Sequence, residues 1–162
     1  MTKVGLAAGC VVVGLVGAFV AAAPAQAAVD VTLDSVKIAP AKADKKVKAT
    51  VRATVAQQQY ADISVDVTFT DFVPTKTFAF RDGECPQKLI RVSVPAEVFQ
   101  CGWSLQGGNA VLSMALRGTF PASPIRIKVS KAALVAPAKP GDYDITMSSW
   151  AFSPLTTSVA IK

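Results

Sequence analysis

Cys85 and Cys101 are the side chains in this sequence best suited to covalent chemistry, with fifteen residues between them. Two thiolates supply only half of a zinc site, and the chain has no histidine to complete it. In an oxidising compartment such a pair reads as a disulfide rather than as a reactive or metal-binding pair. Closing that loop contributes about 3 kcal/mol in the chain-entropy model. The missing histidine also removes the commonest general base and the Ser-His and Cys-His nucleophile pairs. There is no Gly-x-Ser-x-Gly elbow. A Ser-Lys dyad at Ser130 and Lys131 reads equally as the end of an alternating strand. No catalytic residue is assigned, and the expectation is a protein that is not an enzyme.

The carboxylates point the same way. Asp62 and Asp66 share one face of a strand, but four extended residues place them about 13 Å apart, too far for a glycosidase pair. Asp82 and Glu84 flank Gly83, and Asp142 and Asp144 flank Tyr143. Either pair could begin a calcium site, but about six to eight oxygens are needed and no further acids cluster nearby. No metal and no cofactor is expected. Trp103 and Trp150 lie beside strand ends, while Phe72, Phe78, Phe80 and Phe99 crowd the middle of the chain. Core packing is the ordinary role for such residues, and an exposed platform for a sugar or peptide is the alternative. Lys42, Lys45, Lys46 and Lys48, then Arg52, form a basic turn and strand face. Lys45, Lys46 and Lys48 are candidate contacts for an anionic polymer or lipid head group. Their ordinary role is to guard an edge strand against aggregation. A formal charge of +6 without interleaved aromatics gives no footprint for nucleic acid.

The elements that must hold these residues have a period of two. Val47, Ala49, Val51, Ala53 and Val55 alternate with Lys46, Lys48, Thr50, Arg52 and Thr54. Ile63, Val65, Val67 and Phe69 alternate with Ser64, Asp66, Thr68 and Thr70. Each is a half-buried antiparallel strand. Weaker alternation runs through 29–38, with a change of phase near Asp34 and Ser35 that predicts a bulge. Further runs centre on Phe78, Ile90, Leu112, Ile125, Tyr143 and Val159. Turn signals separate them: Pro40, Asp82-Gly83, Pro95, Gly107-Gly108-Asn109, Pro121, Pro137, Pro140-Gly141 and Pro154. One short helix is possible at 130–136. The expected fold is all-β, a single antiparallel sandwich of about seven to nine strands. A hairpin joining 46–56 to 62–70 would set Arg52 against Asp66 and leave Lys46 and Lys48 without an opposing acid.

The segments Lys139-Pro-Gly-Asp-Tyr-Asp-Ile-Thr-Met147 and Phe99-Gln-Cys-Gly-Trp-Ser-Leu-Gln-Gly-Gly-Asn-Ala-Val-Leu-Ser-Met-Ala-Leu116 carry a resemblance. The chain resembles small secreted bacterial, specifically actinobacterial, proteins with an immunoglobulin-like domain. The resemblance implies an immunoglobulin-like sandwich but no common activity, so no functional residue is carried over. The Cys-Trp-Cys order of antibody domains is absent, because Trp103 follows both cysteines.

Residues 1–27 read as a signal peptide: Lys3, an apolar run from Val4 to Ala23, then Ala25-Gln26-Ala27. The rivals are an uncleaved anchor and a lipid-modified Cys10. Residues 28–162 are then one secreted domain that no longer spans a membrane. Without Lys3 its sixteen bases and eleven acids give about +5. Two further readings stand beside a binding or structural module at or outside the cell surface. One is a carbohydrate- or protein-ligand module using exposed aromatics, and the other a small secreted hydrolase or hydrolase inhibitor. Cleavage after Ala27 removes 27 of the 162 residues, so mass spectrometry of the exported protein should find a 135-residue chain beginning at Ala28. An intact N-terminus found only in membranes would overturn this.

Overall fold

The computed structural model describes residues 29–56, 59–94, 96–120 and 124–162. The leader at 1–27, including Lys3 and Cys10, lies outside them, as do Gln57 and the turn positions Pro95 and Pro121. Side chains are described for every strand residue except 59–61.

Alternating apolar residues can be dried only by closing two sheets face to face, and that is the arrangement found. Among the described residues eleven strands, rather than seven to nine, form two antiparallel sheets. Sheet A contains β1 (Val31–Ala39), β2 (Lys46–Val55), β9 (Pro124–Val135) and, on the far side of β9, both β4 (Val73–Pro74) and β6 (Ile90–Ser93). Sheet B runs β11 (Phe152–Ile161), β10 (Gly141–Ser149), β3 (Gln59–Phe69), β8 (Asn109–Phe120), β7 (Glu97–Gln106), β5 (Phe78–Asp82). The extra strands are short pieces such as β4, whose two residues carry no readable period.

The phase change read near Asp34 is a bulge in β1, where Leu33 lies opposite Ala53 and Ser35 opposite Arg52. Two other expectations are corrected. Segment 130–136 is not helical, because β9 runs to Val135. Its alternation is broken because the five steps along β9 from Val129 to Leu134 are matched by only two along β2, from Ala49 to Val47. The freed carbonyls find partners from other elements: Ala133 O accepts from Thr75 N–H at 3.0 Å and from Trp103 Nε1 at 3.4 Å. The 46–56 and 62–70 segments do not form a hairpin either. β2 pairs with β1 and β9 in sheet A, while β3 pairs with β8 and β10 in sheet B. The chain therefore crosses from sheet A to sheet B between β2 and β3.

The core between the sheets is apolar: among the described residues no polar or charged residue is buried, and the buried ones are hydrophobic side chains, the half-cystines, Pro74, Gly102 and Pro137. Trp103 sits at its centre, edge-on to Phe69 at 6.0 Å, and Phe69 meets Phe72 in the same way at 6.0 Å. β5 can lie against β7 only because residue 102 is glycine: a Cβ there would stand 2.8 Å from the Phe80 Cα. Cys85 and Cys101 are bridged, with their Cα atoms 5.2 Å apart, within the range a disulfide spans. The bridge ties the β5–β6 connection, which carries the chain from sheet B to sheet A, back onto β7. Cys85→Ala should lower unfolding stability by about 2–5 kcal/mol in denaturant titration under non-reducing conditions. A loss well below 1 kcal/mol would mean that the crossover is held without the bridge.

Candidate functional site

Because the inner faces admit no charge, the charged strand residues stand on the outer faces, and the two sheets share them unequally. The strands of sheet A carry eight cations, Lys37, Lys46, Lys48, Arg52, Arg91, Arg126, Lys128 and Lys131, against one acid, Asp34. Those of sheet B carry six acids, Asp62, Asp66, Asp82, Glu97, Asp142 and Asp144, against two cations, Arg81 and Arg117. The molecule is therefore polarised across its thickness.

The registers show how the basic face is built. One outward row runs Lys37, Thr50, Lys128, Arg91 across β1, β2, β9 and β6. The next runs Ser35, Arg52, Arg126, Ser93 across the same strands. Lys48 follows Thr50 along β2 by one outward step. Strands about 4.8 Å apart and outward residues about 6.6 Å apart place these six cations in a patch some 15 Å across. Two pairs are in direct cross-strand opposition, Arg52 with Arg126 and Arg91 with Lys128. Like charges so placed repel and are destabilising. Among the described residues the one ion pair lies on the other sheet, Arg117 to Asp62 at 2.9 Å, with the Arg117 guanidinium also over the Phe99 ring. Asp34, the acid of sheet A, accepts instead from the Thr54 hydroxyl at 2.7 Å.

The lysines singled out in the sequence are all exposed, Lys45 and Lys46 toward the Val135 end of the face and Lys48 within it. Their partners were missed, because Arg91, Arg126 and Lys128 lie on strands far away in sequence. Arg52, expected to meet Asp66, meets Arg126 instead, while Asp66 stands in sheet B opposite Ser113 and Ser148. The signal that could have found the rest is the repeated alternation of cations with β-branched residues in Ile90–Val92 and Ile125–Val129.

The aromatic candidates separate. Trp103 is 0% exposed, so its assignment as a ligand contact is corrected: it is a core residue whose indole N–H is already spent on Ala133. Trp150 is 57% exposed in the β10–β11 turn, and Phe80 49% exposed on β5. The two lie toward opposite edges of sheet B, separated by three intervening strands, and do not form a row. No carboxylate is buried among the described residues, and none of their Cys, Asp and Glu side chains gather in groups of three or more.

The repulsive rows make a stability test. Arg52→Glu turns the pair with Arg126 from repulsive to attractive and should raise stability by about 0.2–1 kcal/mol, a shift of roughly 1–4 °C in Tm at low salt. The gain should shrink as salt screens the pair. A lower Tm in Arg52→Glu at every ionic strength would show that the opposition carries no cost.

No family model matches the chain, and comparison with curated proteins finds no match, so the charge-segregated sandwich itself is the ground for a functional reading.

Proposed function

We propose that this chain is an exported, non-enzymatic immunoglobulin-like module whose sheet A face binds an anionic polymer at or outside the cell surface. The observation that carries the reading is the direct opposition of Arg52 with Arg126 and of Arg91 with Lys128. A face that merely needed solubility would intersperse both signs, as sheet B does with Arg117 and Asp62. A face of one sign raises the local concentration of an oppositely charged partner and speeds its capture.

The immunoglobulin-like reading draws support from strand order. β1-β2-β9-β6 in one sheet and β11-β10-β3-β8 in the other parallel the A-B-E-D and G-F-C-C′ arrangement of variable-type domains. The departure is that β4 to β7 intervene in sequence between β3 and its neighbour β8. Export draws support from the leader-like segment at 1–27 and from the Cys85–Cys101 bridge, which persists in oxidising compartments.

The test is retention on immobilised polyglutamate at low ionic strength. Wild type should bind and elute with added salt, as screened charges must. Replacing Arg52, Arg126 and Lys128 together with Glu should weaken binding roughly three- to hundredfold, at about 0.2–1 kcal/mol per exposed charge contact. Lys45→Glu and Lys46→Glu, at the margin of the face, should have smaller effects. Reversal of Asp144 on sheet B should leave retention in place. Failure of wild type to bind any polyanion at low salt would end the reading.

A further inference from the structure

The basic face is interrupted by a concavity. Where β9 runs out of step with β2, a groove of about 460 Å³ lies between these strands and the 86–90 turn. Lys48, Lys88, Arg91, Lys128 and Lys131 line it, and no acid among the described residues does. Its wall at Lys88 and Leu89 is held from two sides. Cys85 is bonded to Cys101 just before it, and Leu89 O accepts from the Ser130 N–H at 2.7 Å.

Ser130 also lines the groove, and its hydroxyl is the one buried side-chain oxygen or nitrogen among the described residues without a hydrogen-bond partner. An unmet buried hydroxyl is destabilising, and in a native structure it calls for an occupant or a role. Ser130 is a lining residue with an unspent donor. The site thus has surplus positive charge, an unused donor and room.

We propose that this groove binds a phosphate group of the anionic polymer, which rests on reading sheet A as an anion-binding face. Five cations on the lining exceed what one carboxylate can neutralise. A phosphate carries up to two charges and several acceptor oxygens, enough for lysine ammoniums, the Arg91 guanidinium and the Ser130 hydroxyl together. The groove is too roomy for a bare ion, since a water occupies about 30 Å³ of liquid. It therefore suits a phosphate with its attached polyol or sugar. The flat rows through Lys128 and Arg52 extend the track for neighbouring phosphates.

The test is calorimetric titration with tripolyphosphate at low salt, alongside binding of long-chain polyphosphate, polyglutamate and phosphatidylglycerol vesicles. Wild type should bind tripolyphosphate saturably, one per chain, and prefer polyphosphate to polyglutamate. Ser130→Ala should weaken tripolyphosphate binding about tenfold, the size expected for a hydrogen bond to a charged group, without altering polyglutamate binding. The free Ser130→Ala protein should melt no lower than wild type, because the hydroxyl it loses was unpartnered. Lys88→Gln and Lys131→Gln, both exposed, should each weaken tripolyphosphate binding and serve if Ser130→Ala does not fold. Three results would overturn the proposal: no saturable binding at millimolar tripolyphosphate, wild-type affinity in Ser130→Ala, or a clearly lower melting temperature for that variant. Equal binding of polyphosphate and polyglutamate would reject the phosphate site and keep the anion-binding face. Binding of vesicles but not of soluble polyphosphate would replace the polymer with a lipid surface.

Discussion

The interior of this sandwich accepts no charge, and the rest of the molecule follows from that exclusion. Burying an unpaired charge costs far more than a small domain's net stability can absorb. Each alternating strand must therefore turn its apolar residues to the shared core and its polar ones to water. Val47, Ala49, Val51, Ala53 and Val55 go inward along β2, which sends Lys48 and Arg52 outward with no other choice. A one-residue slip would exchange the two sets, so the register of the basic rows is fixed by the core rather than by any attraction among the cations.

The same exclusion explains why repelling residues end up as neighbours. Pairing of β2 with β9, and of β9 with β6, is stabilised by Val51, Ile127, Val129 and Ile90 on the inner side. Burying each such side chain is worth roughly 1.5–3 kcal/mol, against about 0.2–1 kcal/mol for a cross-strand charge pair. Apolar burial wins, and the cations are carried along. Sheet B spends its polar side chains differently. Arg117 is paired with Asp62, Asp144 accepts from the Ser158 hydroxyl, and Thr146 bonds Thr156. That contrast between a self-satisfied face and an unsatisfied one gives the molecule a direction.

The link between the faces runs through the β5–β6 crossover and the bulge in β9. The disulfide anchors the crossover to sheet B, and Ser130 anchors its far end to sheet A. On the inner side of the same bulge, Trp103 of sheet B donates to Ala133 of β9. One irregularity thus serves two purposes. It locks the sheets together through the core, and on the outer surface it interrupts the flat face beside a groove ringed by lysines. Loss of ideal pairing in β9 is offset by bonds from Thr75 and Trp103, which is how a bulge persists in a strand otherwise paired on both sides.

Much of this was written along the chain. Alternation fixed the all-β class, the inward residues of β2 and β3 and the bulge at Asp34, because a period of two is a local property that a half-buried strand cannot disguise. The cysteine pair was legible from count and spacing, and Lys45, Lys46 and Lys48 as exposed cations from their place in the pattern. What the chain could not show is which strands become neighbours. Arg52 has a local acid in Asp66 and in the fold meets Arg126, some seventy residues away. Trp103 could not be told from Trp150 by type or by flanking residues, yet one is the centre of the core and the other stands at a turn. The segment 130–136 lost its period because β9 is bent between partners contributed by distant parts of the chain. Local pattern decides which face of a strand is wet. Only the tertiary pairing, set by the sum of apolar burial over the described strands, decides whose charges share that face.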